Sequence, residues 1–253
     1  MDTLYDKQLR LAQELLQLTP SQQGWVEAVI AQFRLPHRFA NNPQSDLITP
    51  AVLDGIGDAL RIHHAFSRQA LSKDRFEFAL ERVMNQNGAQ ARLADSRTNR
   101  GHDITINGHT FSLKTEAASN IKADALHISK FMELGRGEWQ LPLLRDLFLE
   151  HMQNYERVLQ FRCLGQGPEH YLYELVEIPK ALLEGGRNAL LELRDESRQN
   201  PKPGYGYVYD STGQLAFSLY FDGGTERKLQ IKGIRKDLCV VHATWGFQSA
   251  ALA

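Results

Sequence analysis

The sequence of 253 residues has only two cysteines, Cys163 and Cys239, and no long apolar run. Two cysteines are too few for a disulfide framework or a zinc ribbon, so the sequence predicts a protein of the reducing cytoplasm. No apolar segment approaches the roughly 20 residues that a helix needs to cross a bilayer, which predicts no membrane partner. The N-terminal segment alternates charged residues with leucines at helical spacing and lacks the anatomy of a signal peptide.

An excess of positive charge is also missing. Lysine and arginine number 29 against 30 acidic residues, and the net charge is −1. Nucleic-acid binding through bulk positive charge is therefore excluded, and any such binding must use locally segregated charge. Hydrophobic residues make up 42% and charged residues 23% of the chain, which is typical of a folded globular protein.

Periodicity and turn signals predict a fold of mixed α+β (α/β) class, with a central mixed β-sheet flanked by helices. The chain is expected to form one domain, mainly helical over 1–88, with a hairpin over 101–116 and a β-rich portion over 158–244. Helices are predicted over 4–18, 20–33, 50–60, 67–87, 117–134, 139–157 and 179–193, and a loop over 38–45. Strands are predicted over 158–163, 171–178, 205–209, 215–221, 228–231 and 239–243.

The dipeptide Asn107-Gly108 separates two stretches of alternating residues and is a strong hairpin signal. A two-residue turn at this position pairs Thr105 with Thr110 and Ile104 with Phe111. The apolar side chains then share the face that packs on the core. The opposite face carries Asp103, Thr105, Thr110, Ser112, Lys114 and Glu116.

A carboxylate and an ammonium group on one rigid sheet face can perform phosphate chemistry. Asp103 and Glu116 offer oxygen ligands for Mg²⁺, and Lys114 can orient a water molecule or stabilise charge on a phosphate. Glu77 lies at the border of the apolar stripe of the preceding helix, from where it can point towards the hairpin. The alternative for this pattern is a solvated surface salt bridge, and for Glu77 an ordinary boundary residue.

The segment GHDITINGHTFSLKTEAA, residues 101–118, resembles the catalytic hairpin of the PD-(D/E)xK nuclease superfamily. In that superfamily an acid on one strand is followed about ten residues later by acid-x-Lys on the next. Asp103 and Lys114 match the first acid and the lysine, whereas Ser112 replaces the second acid. The missing ligand must come from elsewhere, and Glu77 and Glu116 are the local candidates.

Further segments resemble the SmaI-like Type II restriction endonucleases, which cut CCCGGG. They are SRTNRGHDITI, HISKFMELGRGEWQL, NPKPGYGYVY and LYFDGGTERKLQIK. The resemblance implies a restriction-endonuclease-like core and Mg²⁺-dependent hydrolysis of double-stranded DNA that leaves 5′-phosphates. It implies a homodimer and a cognate DNA methyltransferase that acts on the same site. Asp103, Lys114 and Glu77 become the expected catalytic residues, and Asp103, Glu77 and Glu116 the expected Mg²⁺ ligands.

Basic residues cluster in two parts of the sequence, after the hairpin and after Gly223-Gly224. We predict that they contact DNA, because such groups suit phosphate contact or bidentate reading of guanine. The predicted DNA-binding residues are Lys122, Lys130, Arg136, Arg227, Lys228 and Lys232. The first three are expected on the helix after the hairpin and at its end. The alternatives are ordinary helix-surface charges for these three and a lysine-protected edge strand for the others.

Two other functions remain open at the level of sequence. A DNA-binding protein with a nuclease-like fold and no cleavage activity is one, because Ser112 stands in the acid position. A mismatch-repair-type nicking endonuclease is the other. No Gly-x-Ser-x-Gly, paired Cys/His or P-loop motif supports a metal-independent hydrolase.

Overall fold

A computed structural model of the protein describes residues 3–95, 101–118, 120–167 and 170–250. Residues 96–100, which begin one of the quoted motifs, lie outside this part. The described residues form six α-helices and three short 3-10 turns, Met152–Asn154, Gly185–Asn188 and Lys236–Leu238. The helices are α1 (Leu4–Leu15), α2 (Pro20–Arg34), α3 (Pro50–His64), α4 (Lys73–Gln86), α5 (Leu141–His151) and α6 (Lys180–Glu184). Within these residues no helix has the length and apolar character required to span a membrane.

Twelve strands form two sheets in the described residues. The strands are β1 (His37–Asn41), β2 (Ala91–Leu93), β3 (Ile104–Ile106), β4 (His109–Glu116), β5 (Ala125–Glu133), β6 (Arg157–Gly167), β7 (His170–Ile178), β8 (Leu190–Leu193), β9 (Gly204–Tyr209), β10 (Leu215–Asp222), β11 (Lys228–Arg235) and β12 (Val240–Phe247). The first sheet has the order β1-β12-β7-β6-β4-β3-β2, and the second has the order β5-β11-β10-β9-β8. Only the β4–β6 pair is parallel among the pairs described.

The predicted mixed α+β class is confirmed, but the strands form two sheets rather than one. One apolar core lies between α3, α4 and one face of the first sheet. A second core is formed by α5, the second sheet and residues from the other face of the first sheet, Val158, Val176 and Ile178. The face of β4 that carries Ser112 and Lys114, opposite the buried Phe111 and Leu113, therefore lies towards the second sheet.

At two helix starts and at the hairpin, the local structure follows directly from the local sequence. Thr19 and Thr49 each accept a backbone hydrogen bond as N-cap residues, and each is followed by a proline at the first position of the helix. Asn107 and Gly108 have φ angles of 50° and 87°. Positive φ at both central residues is the geometry of a type I′ turn, which matches strand twist and fixes the predicted pairing of β3 with β4.

The predicted helix over 117–134 is wrong, because residues 125–133 form strand β5. This strand pairs with β11, and Met132 lies opposite Leu229 and Ile128 opposite Ile231. The pairing buries Leu126, Ile128, Phe131 and Met132. Burial against a strand a hundred residues further along the chain outweighs the local helical spacing.

Other predicted boundaries also require correction. Residues 38–41 of the predicted loop belong to β1, because they complete the edge of the first sheet against β12. The helix predicted over 179–193 ends at Glu184, and Leu190–Leu193 pair with β9 instead. The helix predicted over 67–87 begins only at Lys73, after its N-cap Ser72. The helix predicted over 139–157 ends at His151, since residues from Arg157 onwards pair with β4 and β7.

His64, at the end of α3, is a fully buried titratable group. Its Nδ1–H donates to the Ser67 carbonyl at 2.8 Å, which leaves Nε2 to accept from the Tyr173 hydroxyl at 2.7 Å. That hydroxyl accepts in turn from the Leu71 amide at 3.0 Å. Burial lowers the pKa of His64 to about 4. The neutral imidazole thus has a hydrogen-bond partner at each ring nitrogen.

We predict that His64 makes the fold acid-sensitive. Between pH 6.5 and pH 4 the unfolded chain binds a proton at this residue and the native protein does not, so stability falls as the pH falls. The loss should reach roughly 3 kcal/mol at pH 4. In His64→Gln, urea unfolding measured across this range should depend less steeply on pH. The exposed His170→Gln is the control and should keep the wild-type slope; equal slopes in all three proteins would contradict the prediction.

Candidate active site

A cavity of about 940 Å³ lies where the β3–β4 hairpin and the start of α4 meet β5 and α5. The hairpin contributes Asp103, Ser112 and Lys114 to its lining, and α4 contributes Lys73. Residues 128–133 of β5 and His151 of α5 form the opposite side. The predicted acid and lysine of the hairpin therefore lie in the same cavity.

Asp103 immediately precedes β3, and its carboxylate is held firmly. Oδ2 accepts a hydrogen bond from the Leu113 amide at 2.6 Å and a longer one from the Ser112 hydroxyl at 3.3 Å. Oδ1 accepts from the Lys73 ammonium at 2.8 Å. Burial opposes ionisation of Asp103, but the charges of Lys114 and Lys73 outweigh it and lower its pKa. The residue is thus an oriented carboxylate anion.

Lys114, on β4, is half-buried and lies with its Nζ atom 5.5 Å from the centre of the Phe131 ring. Burial lowers the pKa of Lys114 to about 8, although the charge of Asp103 opposes this shift. A lysine with a pKa near neutrality can donate a proton or a hydrogen bond and can also accept a proton. This property suits a residue beside a phosphate under attack.

Glu77 reaches the hairpin through a residue that the sequence reasoning missed. The Nζ atom of Lys73 lies 3.2 Å from Oε1 of Glu77 and 2.8 Å from Oδ1 of Asp103, so one ammonium group bridges the two carboxylates. Burial raises the pKa of Glu77 despite the attraction of Lys73. Lys73 and Glu77 are spaced i, i+4 on α4, a signal of contact within a helix that gave no sign of the contact with Asp103.

A second cavity, of about 510 Å³, lies beyond the end of β5, between Arg136 and the turn at Gly223-Gly224. It brings together two predicted DNA-binding residues, Arg136 and Arg227, with the polar side chains of Gln199, Asn200 and Thr225. No carboxylate is found among the described residues that line it. A side chain at Gly223 would place its Cβ 2.0 Å from the Pro201 carbonyl oxygen, so only glycine fits this wall.

The other four predicted DNA-binding residues lie at separate places. Lys122 and Lys130 are not on a helix, because the helix predicted over 117–134 does not form. Lys122 is exposed in the loop before β5. Lys130, on β5, lines the first cavity and forms an ion pair with Glu133 at 2.9 Å. Lys228 forms an ion pair with Glu226 at 2.9 Å. Lys232 stacks on Tyr220, with Nζ 3.6 Å from the ring centre, on the face of the second sheet opposite its core.

Comparison with known proteins decides the family. The sequence model of the SmaI family, described as Type II site-specific deoxyribonuclease, matches residues 11–247. The protein belongs to this family. It is 51% identical over 202 residues to the Type II restriction enzyme SmaI of Serratia marcescens, an alignment that covers 80% of this chain and 82% of that enzyme. A comparison with solved structures gives no significant match.

Within this family member, Glu116 is engaged in a structural ion pair. Its Oε2 accepts from Nε of Arg162 at 2.7 Å, and the guanidinium of Arg162 is completely buried. Arg162 also contacts Glu174 at 2.5 Å and donates to the carbonyl groups of Lys122 and Ala125. The carboxylate of Glu116 is thus committed to a buried guanidinium, which makes Glu77 the better partner of Asp103 at a metal site.

The acids around the first cavity fit a magnesium ion with few protein ligands. No cluster of three His, Cys, Asp or Glu side chains suitable for a metal ion occurs within the described residues. Mg²⁺ needs no such cluster, since it is usually held by one or two carboxylates together with waters and substrate phosphates. Asp103 and Glu77 already share one cation, the ammonium of Lys73, and this shows that their oxygens converge on a common position.

We predict that Glu116→Gln lowers the stability of the fold. The amide can still accept a hydrogen bond, but Arg162 loses a charged partner in a buried position, which should cost about 2 kcal/mol. The free energy of unfolding in urea measures this loss. Glu156→Gln, which removes a carboxylate paired with His109 at the surface, is the control and should change stability little. A smaller effect for Glu116→Gln than for the control would contradict the buried ion pair.

Proposed function

We propose that this member of the SmaI family is a Mg²⁺-dependent endonuclease that cleaves double-stranded DNA at CCCGGG and leaves 5′-phosphates. The supporting observation is that Asp103, Lys114 and Lys73 line one cavity and that Lys73 links Asp103 to the neighbouring Glu77. The Type II restriction enzyme SmaI, to which the chain is 51% identical, supports the choice of target sequence. The family assignment favours cleavage over the alternative of a DNA-binding protein without activity.

Asp103 and Glu77 would hold the Mg²⁺ ion against the scissile phosphate. When bound, such an ion polarises a phosphoryl oxygen and makes water a better nucleophile at neutral pH. Asp103 is suited to this role because the Leu113 amide and the Ser112 hydroxyl fix its second oxygen. Its Oδ1, which contacts Lys73, is the oxygen that remains for a cation.

Lys114 would act on the reacting atoms directly. Its ammonium lies in a partly buried position, where a charge interacts more strongly with a phosphate than it does in water. In the protonated form it stabilises the negative charge that develops on the phosphate. With a pKa near 8, it can also accept a proton from the attacking water.

Arg136 and Arg227 would read guanine bases in the second cavity. A guanidinium forms two parallel hydrogen bonds with O6 and N7 of guanine, a geometry that lysine cannot reproduce. Lys130 lines the first cavity and Arg136 the second, and six residues of chain span at most about 20 Å. This is about the length of six stacked base pairs, so one short duplex can reach both cavities.

A palindromic target has one scissile phosphate in each strand, related by a two-fold axis. Two copies of the chain related by the same axis would place one active site at each phosphate, and we therefore propose a homodimer. A mismatch-repair-type nicking enzyme would not need this symmetry. A cognate methyltransferase would protect the same sequence in the host cytoplasm and need not bind the endonuclease.

We expect Asp103→Asn and Lys114→Met each to slow cleavage of a plasmid with one CCCGGG site by about 100- to 1,000-fold. Chelation of Mg²⁺ should stop cleavage by the wild-type protein. Lys202→Met, which removes an ammonium paired with Asp195 in a surface loop, is the matched control and should cleave at the normal rate. Mapping of the fragment ends gives the cut positions and the 5′-phosphates.

Full-rate cleavage by either Asp103→Asn or Lys114→Met would contradict the proposed active site. Cleavage by the wild-type protein in the presence of the chelator would contradict the proposed dependence on Mg²⁺. A nicked circle as the final product, in place of linear DNA, would favour the nicking enzyme over the dimer.

The recognition role predicts a loss of specificity in Arg136→Lys and Arg227→Lys. Each good bidentate contact discriminates against a wrong base by about 1–3 kcal/mol. Lysine keeps the positive charge but lacks the two parallel N–H donors of the guanidinium. Binding is measured with CCCGGG and with duplexes that carry one substituted G·C pair, in a Lys114→Met background that leaves the DNA uncut. Arg194→Lys, at an arginine paired with Glu196, is the control. Unchanged ratios of the dissociation constants in both test variants would exclude guanine reading here.

A further inference from the structure

The ammonium group of Lys73 lies where the proposed function places a metal ion. It contacts Asp103 at 2.8 Å and Glu77 at 3.2 Å, and these are the two carboxylates best placed to hold Mg²⁺. The Lys73 side chain is 37% exposed, so it is accessible to solvent although its ammonium contacts two carboxylates. An anchored but accessible lysine can leave its partners without any rearrangement of the core.

The two acids and two lysines that meet at this position carry balancing charges when no metal is bound. Asp103 and Glu77 supply two negative charges, and Lys73 and Lys114 can supply two positive charges. A divalent cation that entered here would leave an excess of positive charge in a partly buried site, which is unfavourable. Two changes relieve the excess: the ammonium of Lys73 can move out towards solvent, and a DNA phosphate can bring a negative charge in.

We infer that Lys73 is a resident cation that occupies the metal position in the free protein and couples the binding of Mg²⁺ to the binding of DNA. The inference rests on the proposed function, because it requires Asp103 and Glu77 to be metal ligands. Lys73 weakens metal binding in the absence of DNA by competition for both carboxylates. The scissile phosphate offers the displaced ammonium a new anionic partner, so metal and DNA each favour the binding of the other.

This arrangement has a consequence for the free protein as well. Two carboxylates that share a site repel each other. Lys73 reduces this repulsion, because its ammonium contacts both Asp103 and Glu77. The same residue thus stabilises the metal-free fold and opposes premature metal loading.

The test measures Mn²⁺ binding, with the free ion followed by electron paramagnetic resonance, in the full-length protein without DNA. We expect Lys73→Met to bind Mn²⁺ at least about ten-fold more tightly than the wild type, because a competing charge has gone. Lys73→Arg keeps the positive charge and should bind as weakly as the wild type. Lys202→Met, which loses an equivalent charge in a distant loop, should also behave as the wild type.

A second titration adds a CCCGGG duplex whose linkages are methylenephosphonates, which carry the phosphate charge but resist hydrolysis. DNA should strengthen Mn²⁺ binding markedly in the wild type and much less in Lys73→Met. Thermal unfolding gives a readout independent of DNA: metal-free Lys73→Met should melt below the wild type, and Mn²⁺ should restore more of its stability than it adds to the wild type.

The outcomes separate this inference from the proposed function. If the wild type binds Mn²⁺ with DNA and Lys73→Met shows the same affinity and the same dependence on DNA, the resident cation is refuted and the metal site stands. An equal gain of affinity in Lys202→Met would also refute it, because the effect would be one of overall charge. If the wild type binds no Mn²⁺ even with DNA, the metal-dependent function fails together with the inference.

Discussion

The hydrogen bond from the Leu113 amide to the Asp103 carboxylate, 2.6 Å long, determines the geometry of the candidate active site. It joins the acid, which precedes β3, to the residue directly before Lys114 on β4. Ile104, Phe111 and Leu113 are buried on the opposite face and hold the two strands in register. The acid and the lysine are thus parts of one rigid unit, which α4 and β5 complete with side chains of their own.

Ser112 stands where the PD-(D/E)xK pattern that the hairpin resembles has its second acid. At the position of the second acid, its hydroxyl donates to Asp103 at 3.3 Å and so supports the first acid. Another carboxylate lies on α4, where Glu77 contacts the same Lys73 ammonium as Asp103. Two acids on neighbouring strand positions would lie close together and repel. A helix that supplies one of them separates their backbones and lets their oxygens converge only where a cation is present.

The parts of the structure that sequence could predict are those determined by neighbouring residues. Asn107 and Gly108 specify their own turn, and the alternation on either side then places Asp103 and Lys114 correctly. Residues 125–133 have no comparable local signal, because they become a strand only through pairing with β11. The bridge from Lys73 to Asp103 and the ion pair of Glu116 with Arg162 join residues about 30 and 46 positions apart. No spacing rule covers such contacts, so the choice between Glu77 and Glu116 required the folded chain.

Strand β5 links the two cavities, and a single buried guanidinium anchors its beginning. Arg162 donates to the carbonyl groups of Lys122 and Ala125 and forms an ion pair with Glu116, two residues beyond Lys114. It therefore ties β5 to the strand that carries the lysine. Residues 128–133 of β5 line the first cavity, and Arg136 follows at the second. Since a desolvated charge tolerates little displacement from its partners, we expect the Arg162 network to restrain the start of β5 relative to the strand that carries Lys114.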